Sequence, residues 1–249
     1  MAYENHFEQG GAVYAQSRPT YPESLAIELA NLCASKTHAV DVGCGTGQLS
    51  VLLASQFEKV TALDPSASQI ASAEQHEGVE YSVQSAEDTG VIDTSADLVV
   101  AAQAAHWFDL DKFYAEVERI IKPNGILALI SYGVPILEGQ IGKRFDQFYW
   151  KDIYHFWPQG RKHVERGYQD LSFPYEEFTL KPLAIERLWN RDQFLLYIDT
   201  WSAKRKAEEA QELTLFDAYT QELASTWPDG QTHKVCWPIV ARIARIAKS

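Results

Sequence analysis

Cysteine is scarce in this chain. Cys33, Cys44 and Cys236 are an odd number and show no CxxC spacing, so neither a disulfide framework nor a structural zinc site is indicated. Basic charge is short as well: 22 lysines and arginines stand against 34 acidic residues, a formal net charge of −12. Nucleic-acid phosphates would be repelled at long range, which argues against such a partner. No long apolar run is present to cross a membrane, and Met1 to Gly10 lacks a basic n-region and an apolar h-region. Cytoplasmic localisation is the default. No repeats or low-complexity segments occur. The remainder is ordinary for a globular chain, with 46% hydrophobic and 22% charged residues. A length of 249 residues suits one α/β domain with a helical insertion.

The chain is organised around Val40-Asp41-Val42-Gly43-Cys44-Gly45-Thr46-Gly47. It reads as a strand running into a glycine-rich turn, with a helix starting at about Thr46 or Gly47. Glycine permits positive φ and lets a ligand approach with no Cβ in the way. In an open α/β sheet such a turn lies at the carboxyl edge of the first strand, where ligands bind. Cys44 reads as a small residue that fits the turn. A second strand, Val60 to Leu63, ends in Asp64, near the spacing of ~20 expected for a carboxylate that bonds ribose hydroxyls. The dinucleotide fingerprint requires another glycine three places after Gly45, and Gln48 stands there instead.

Taken in order, the chain alternates short apolar strands with amphipathic helices. Helices are expected at about 22–34, after Gly47 with Leu49, Leu52, Leu53 and Phe57 on one side, and from a capping box at Ser66 and Gln69 to near Gly78. A further one is capped by Asp109 or Asp111 and carries Phe113, Val117, Ile120 and Ile121 up to the Pro123-Asn124-Gly125 stop. Strands are expected at 39–42, 60–63, 79–83, 97–101, 126–130 and 183–188. This alternation indicates βαβ units and a mostly parallel sheet. Residues 134–178, dense in aromatics and charge, read as a mostly helical insertion. Helices at about 191–201 and 204–226 follow, and 234–246 reads as a last strand pairing antiparallel at the sheet edge.

Several motifs recur in one order: Tyr14-x-x-x-Arg18-Pro19-x-Tyr21-Pro22, the glycine turn, Asp64-Pro65-Ser66, Ala86-Glu87, His106-Trp107-Phe108-Asp109, Ile121 to Gly125, Thr200-Trp201-Ser202-Ala203 and Trp237-Pro238. In that order, with the GxGxG turn, the chain resembles class I S-adenosylmethionine (SAM)-dependent methyltransferases of the type-11 branch. Within it the chain is most similar to the trans-aconitate methyltransferase-like small-molecule group. The resemblance implies a Rossmann-like sheet in one methyltransferase domain. Residues 1–21 would be an arm or lid, 22–133 the SAM-binding core, 134–178 a substrate-covering insertion, and 179–249 the strands and helices that complete the sheet.

The resemblance also implies roles. The backbone at Gly43, Cys44, Gly45 and Gly47 would hold the methionyl end of SAM, Asp41 would support its ammonium through water, and Asp64 would bind both ribose hydroxyls. Pro65 and Ser66 would flank the adenine. Ser85 stands where the family commonly has an aspartate, and its hydroxyl or the Ala86 backbone would meet the adenine amino group. Gln103 would border the methyl group. Tyr14 and Arg18 would close over the site, or simply pin the arm.

His106 is the one candidate general base, with a loop-held histidine as the alternative, because methyl transfer to a carboxylate needs no base. The methyl acceptor is expected to be a small molecule. Trp107, Arg144, Tyr149, Trp150 and Arg161 are its candidate contacts: the arginines could take a carboxylate, and the rings a flat or apolar body. A solvated basic helix face is the alternative for the arginines, and core packing for Trp107. Two other functions stay open, a non-catalytic SAM-binding regulator and a nicotinamide-dependent oxidoreductase.

Overall fold

The computed structural model describes residues 19–247. They form two compact units. One gathers residues 20–133, 162–183 and the chain from 238; the other gathers residues 134–161 and 184–237.

The first unit is a sheet between two helical layers. Its strands are β1 (His38–Val42), β2 (Lys59–Asp64), β3 (Val79–Val83), β4 (Ala96–Ala102) and β5 (Ile121–Tyr132). They run parallel in the order β3-β2-β1-β4-β5. The sixth, the later part of the C-terminal strand His233–Ile246, pairs antiparallel with β5 from Gly125↔Ile246 to Tyr132↔Ile239. The short strand Glu177–Phe178 pairs with its other edge, so the last strand does not form the sheet edge as its sequence suggested. Ala39, Val40, Leu98 to Ala101 and Ile126 to Ile130 are all buried. Strands apolar on both faces need helices on both faces.

On one face α1 (Glu23–Leu32) and α2 (Gln48–Ala54) bring Leu25, Leu29, Leu49 and Leu53 onto Val60, Leu98 and Ile126. On the other, α3 (Leu110–Ile120) packs Phe113, Val117 and Ile120 onto Val40, Val99 and Leu127. Asp109 caps α3 by accepting from the Lys112 N–H. The strand order reverses between β1 and β4. The carboxyl edge at such a reversal is the usual ligand position in these sheets.

Four boundaries differ from the sequence reading. The helix opened by Ser66 stops at Ala71, short of Gly78. Tertiary partners take its next backbone groups: the Glu74 N–H donates to Thr46 O, and Tyr81 Oη donates to Glu74 O. Ile121 leaves α3 and opens β5, pairing with Ala96 before an irregularity at which Asn124 turns left-handed, φ 63°. The helix expected over 204–226 is two, Ser202–Glu209 and Thr214–Thr226, broken where Gln211 takes φ 59°. Residues 134–178 are helical only to Glu165, and turns follow.

The second unit is held by aromatic packing. Phe148 stacks on Tyr219 with ring centroids 3.9 Å apart, and Trp201 meets Phe145, Tyr149, Trp157 and Tyr197. Tyr149 and Trp150 lie on a π-turn, Phe148–Asp152, closed by the Ile153 N–H donating to Phe148 O. Among the described residues no helix is long and apolar enough to cross a membrane.

Candidate functional site

The turn after β1 is the centre of the first unit. Gly43, Gly45 and Gly47 have φ of 72°, 57° and 81°, the left-handed region that a side chain makes costly. The N–H groups of Gly43 and Cys44 both donate to Leu63 O, which straps the turn to the end of β2. The three glycines answer two different needs. A Cβ on Gly43 would lie 2.5 Å from Ala104 Cβ, and one on Gly47 would lie 2.1 Å from Tyr81 Oη. At Gly45 a Cβ would meet only Gln69 Oε1, at 3.7 Å. Two of the glycines therefore let the protein pack on itself, while the third keeps the turn open.

Two carboxylates flank the turn. Asp64 Oδ2 accepts from the Gly45 N–H and Oδ1 from the Ser66 N–H, each at 2.9 Å. It braces the turn and keeps lone pairs for further donors. Burial pushes its pKa up against those two bonds. Asp41 is 1% exposed. Its Oδ2 accepts from Ser50 Oγ at 2.6 Å, while the buried Oδ1 has no hydrogen-bond partner. Burial, opposed by Ser50 and reinforced by Asp64, pushes Asp41 up to about 7. Burial and the charges of Asp41 and Asp64 also push the Cys44 thiol up, so it stays protonated and is no nucleophile at neutral pH.

The opposite wall is the segment after β4. Gln103 has φ 57°; its N–H donates to Ile130 O and its side-chain amide to Tyr132 O at 2.7 Å. Ala104 and Phe108 are the side chains nearest Gly43, which sets the helical turn Ala105–Trp107 directly beside the glycine turn. His106 Nδ1 lies 3.1 Å from Tyr168 Oη. Trp107 is 52% exposed. The Asp109 N–H donates to Glu87, which ties this segment to Ser85 and the buried Ala86. Ser85 bridges Asp88. Pro65 is exposed and Ser66 half-buried at the start of the short helix. Tyr14 and Arg18 lie outside the described residues.

In the second unit, Arg144 donates to Asp152 at 3.0 Å and to Glu222, and sits over the Tyr219 ring. Two carboxylates of its own chain thus engage the fork expected to receive a substrate acid. Arg161 donates from Nε to Tyr149 Oη at 2.9 Å and lies 4.8 Å from the Trp157 ring centre. Tyr149 is fully buried and Trp150 is 46% exposed.

Sequence reasoning missed Ser50 and Tyr168. A buried aspartate needs a donor, and a hydroxyl on the first turn of the next helix was available to find. For Tyr168 the one local signal was the preceding Gly167, which points to a turn but names no partner.

The site suits a cationic, hydroxyl-bearing ligand. A buried acceptor without a partner, a second carboxylate with spare lone pairs and an open left-handed turn match the ammonium and ribose of SAM. A mostly parallel sheet with an antiparallel last strand and this turn defines a class I methyltransferase. Residues 40–129 match the methyltransferase domain family. The chain is 32% identical over 204 residues to a Dictyostelium discoideum protein described as a methyltransferase, covering 80% of this chain and 78% of that one. It therefore belongs to the class I SAM-dependent methyltransferases, and SAM is its cofactor. An S-adenosylmethionine-dependent methyltransferase of Saccharomyces cerevisiae is 30% identical over 133 residues, 50% of this chain and 46% of that one. A solved structure described as a type II methyltransferase from Anaeromyxobacter dehalogenans superposes with a TM-score of 0.88 at 39% identity, covering 93% of this chain and 99% of that one. The nicotinamide reading falls with this membership.

Proposed function

We propose that this methyltransferase acts on a small molecule and that the reaction is O-methylation of a carboxylate, in keeping with the trans-aconitate methyltransferase-like group its motifs resemble. One observation carries the reading: the polar side chains flanking the glycine turn differ. Carboxylates stand on its own side and, right after β4, an amide and an imidazole, with Glu87 and Asp109 engaged at the far end of that segment in the α3 cap. The turn side holds the carboxylates Asp41 and Asp64, suited to a cationic cofactor. The polar side chains fixed at the end of β4 are an amide, Gln103, and an imidazole held against a phenol, His106 with Tyr168. Neither of these side chains is a carboxylate, which suits an anionic acceptor. The net charge of −12 speaks against a nucleic-acid substrate.

In this reading Gly43, Gly45, Asp41 and Asp64 hold the cofactor, with Ser85, Ala86, Pro65 and Ser66 at its adenine. Bound SAM supplies an electrophilic methyl group on a sulfonium. An ionised carboxylate needs no proton removed before it attacks, so the chain's task is to position it and exclude water.

The test is transfer of labelled methyl from SAM to panels of small carboxylic acids, alcohols and amines. Product label is then treated with mild alkali. A methyl ester releases volatile methanol, and that release is the expected result. Label that resists alkali, in an ether, amine or carbon product, overturns the assignment.

A further inference from the structure

The glycine turn is closed by a bond between its two flanks. Asp41 lies in β1, two residues before Gly43, and Ser50 is the third residue of α2. Ser50 Oγ donates to Asp41 Oδ2 at 2.6 Å, and both side chains are buried, at 0% and 1% exposure. A length of 2.6 Å is that of a hydroxyl bonded to an ionised carboxylate. A serine on a helix can instead turn its hydroxyl back to the carbonyl four residues earlier. Here that carbonyl is Thr46 O, which accepts from the Glu74 N–H at 3.1 Å. The Ser50 proton thus goes to Asp41 Oδ2, while the buried Oδ1 has no hydrogen-bond partner.

We propose that Ser50 is a positioning residue for the cofactor: its hydroxyl anchors one oxygen of Asp41 and leaves the other to the ammonium of SAM, on the reading above that Asp41 holds the cofactor. The surroundings of Asp41 show why one hydroxyl matters. Burial foremost pushes its pKa up to about 7, and Asp64 at the end of β2 adds to the rise. The other titratable groups in its field are the Cys44 thiol and the Tyr81 phenol on β3, and neither carries positive charge. Among the described residues the Ser50 bond alone favours the anion. Without it the carboxyl group keeps its proton to higher pH, and neither oxygen is fixed. The positive charge that Asp41 lacks must arrive with the ligand. SAM brings two such groups, the ammonium and the sulfonium. S-adenosylhomocysteine (SAH), which remains after methyl transfer, keeps only the first. Ser50 therefore serves the amino-acid end that both share.

The test is calorimetry of SAH and SAM from pH 6 to 9 on the full chain. Ser50→Ala, Asp41→Asn and the double variant are compared with wild type, each checked by thermal melting. A hydrogen bond to a charged group is worth about tenfold or more, so Ser50→Ala should move the rise in affinity up by about one pH unit. It should bind about fivefold to tenfold more weakly than wild type at pH 6 to 7, and within about twofold at pH 9. The gap should be the same for SAH and SAM. In the Asp41→Asn background, Ser50→Ala should change neither affinity by more than about twofold. Ser50→Cys keeps the volume but donates only weakly, so it should resemble Ser50→Ala. A gap that stays constant with pH, persists in Asp41→Asn, appears with SAM alone or is abolished by cysteine overturns the proposal. Such results leave Asp41 at the cofactor whenever Asp41→Asn itself weakens SAH. If Asp41→Asn binds SAH as wild type does, the cofactor reading of Asp41 falls, and Ser50 with it.

Discussion

Replacing Asp41 by asparagine should make the protein more stable and a worse binder. The wild-type carboxylate is 1% exposed, with one oxygen bonded to Ser50 and the other without a partner. Burial foremost raises its pKa from 3.8 to about 7. Each pKa unit is worth ~1.4 kcal/mol, so ionised Asp41 lowers stability by about 4 kcal/mol. The sign follows from the raised value. The folded chain holds the extra proton between the unfolded and folded pKa, so the contribution is fully present below about 4 and lost as pH rises through about 7.

Asparagine removes that slope but buries an amide with unpaired N–H groups, at about 1–3 kcal/mol. The net gain at pH 8 is about 1–3 kcal/mol, or roughly 2–4 °C in Tm per kcal/mol for a chain of this size. SAM affinity should move the other way. An ammonium without its anionic partner loses about 1.5–3 kcal/mol, tenfold or more in Kd. Wild-type affinity should itself rise with pH through about 7, because the ammonium favours ionised Asp41. Thermal melts from pH 5 to 9 and SAM calorimetry on both proteins give every quantity. The reasoning is refuted if Asp41→Asn is the less stable protein at pH 8, or if it keeps the wild-type pH slope.

The other predictions concern the turn and the second unit. Asp64→Asn should weaken SAM binding about tenfold or more by calorimetry, because one of two charged acceptors becomes a donor; unchanged affinity removes Asp64 from the ribose site. Gly47→Ala should destabilise by more than ~2 kcal/mol in denaturant melts, since its Cβ would lie 2.1 Å from Tyr81 Oη at φ 81°. Gly45→Ala, with only a 3.7 Å contact, should cost about 1–2 kcal/mol of stability yet impair SAM binding more severely. If Gly45→Ala binds SAM normally, the opening at this turn is not the cofactor's. Arg161→Gln should lower kcat/KM for an acid acceptor by ~2–5 kcal/mol while SAM affinity holds, if Arg161 receives the acid; an unchanged kcat/KM removes it from substrate binding.

Features set by near neighbours were legible in the sequence. The glycine turn, the strand ends at Val42 and Asp64 and the Asp109 cap all follow from residues within a few positions of one another. The last strand and its antiparallel sense were expected too, but not its place inside the sheet, where Glu177–Phe178 pairs with its far side. Partnerships made across the chain were not. Arg144 looked available for a substrate acid because Glu222 is 78 positions away, and only folding brings its carboxylate in. Tyr168 meets His106 across 62 positions, through a left-handed pair of residues that no hydrophobic period announces. The helix after Ser66 was overestimated for a related reason: its capping signal is genuine, but Thr46 and Tyr81 compete for the backbone that would have continued it.

The pairing of β5 with the C-terminal strand has a consequence for how the protein is made. The stretch Ile126-Leu127-Ala128-Leu129-Ile130 is fully buried, and its antiparallel partner is Arg245 to Ala241. A ribosome delivers β5 long before that partner, so the nascent chain carries an open, apolar strand edge until Ala241 to Arg245 have emerged. Such an edge accepts any passing strand, including that of a neighbouring nascent chain. Yield in a heterologous host should therefore depend on elongation rate, temperature and chaperone supply more than the finished protein's melting temperature would suggest.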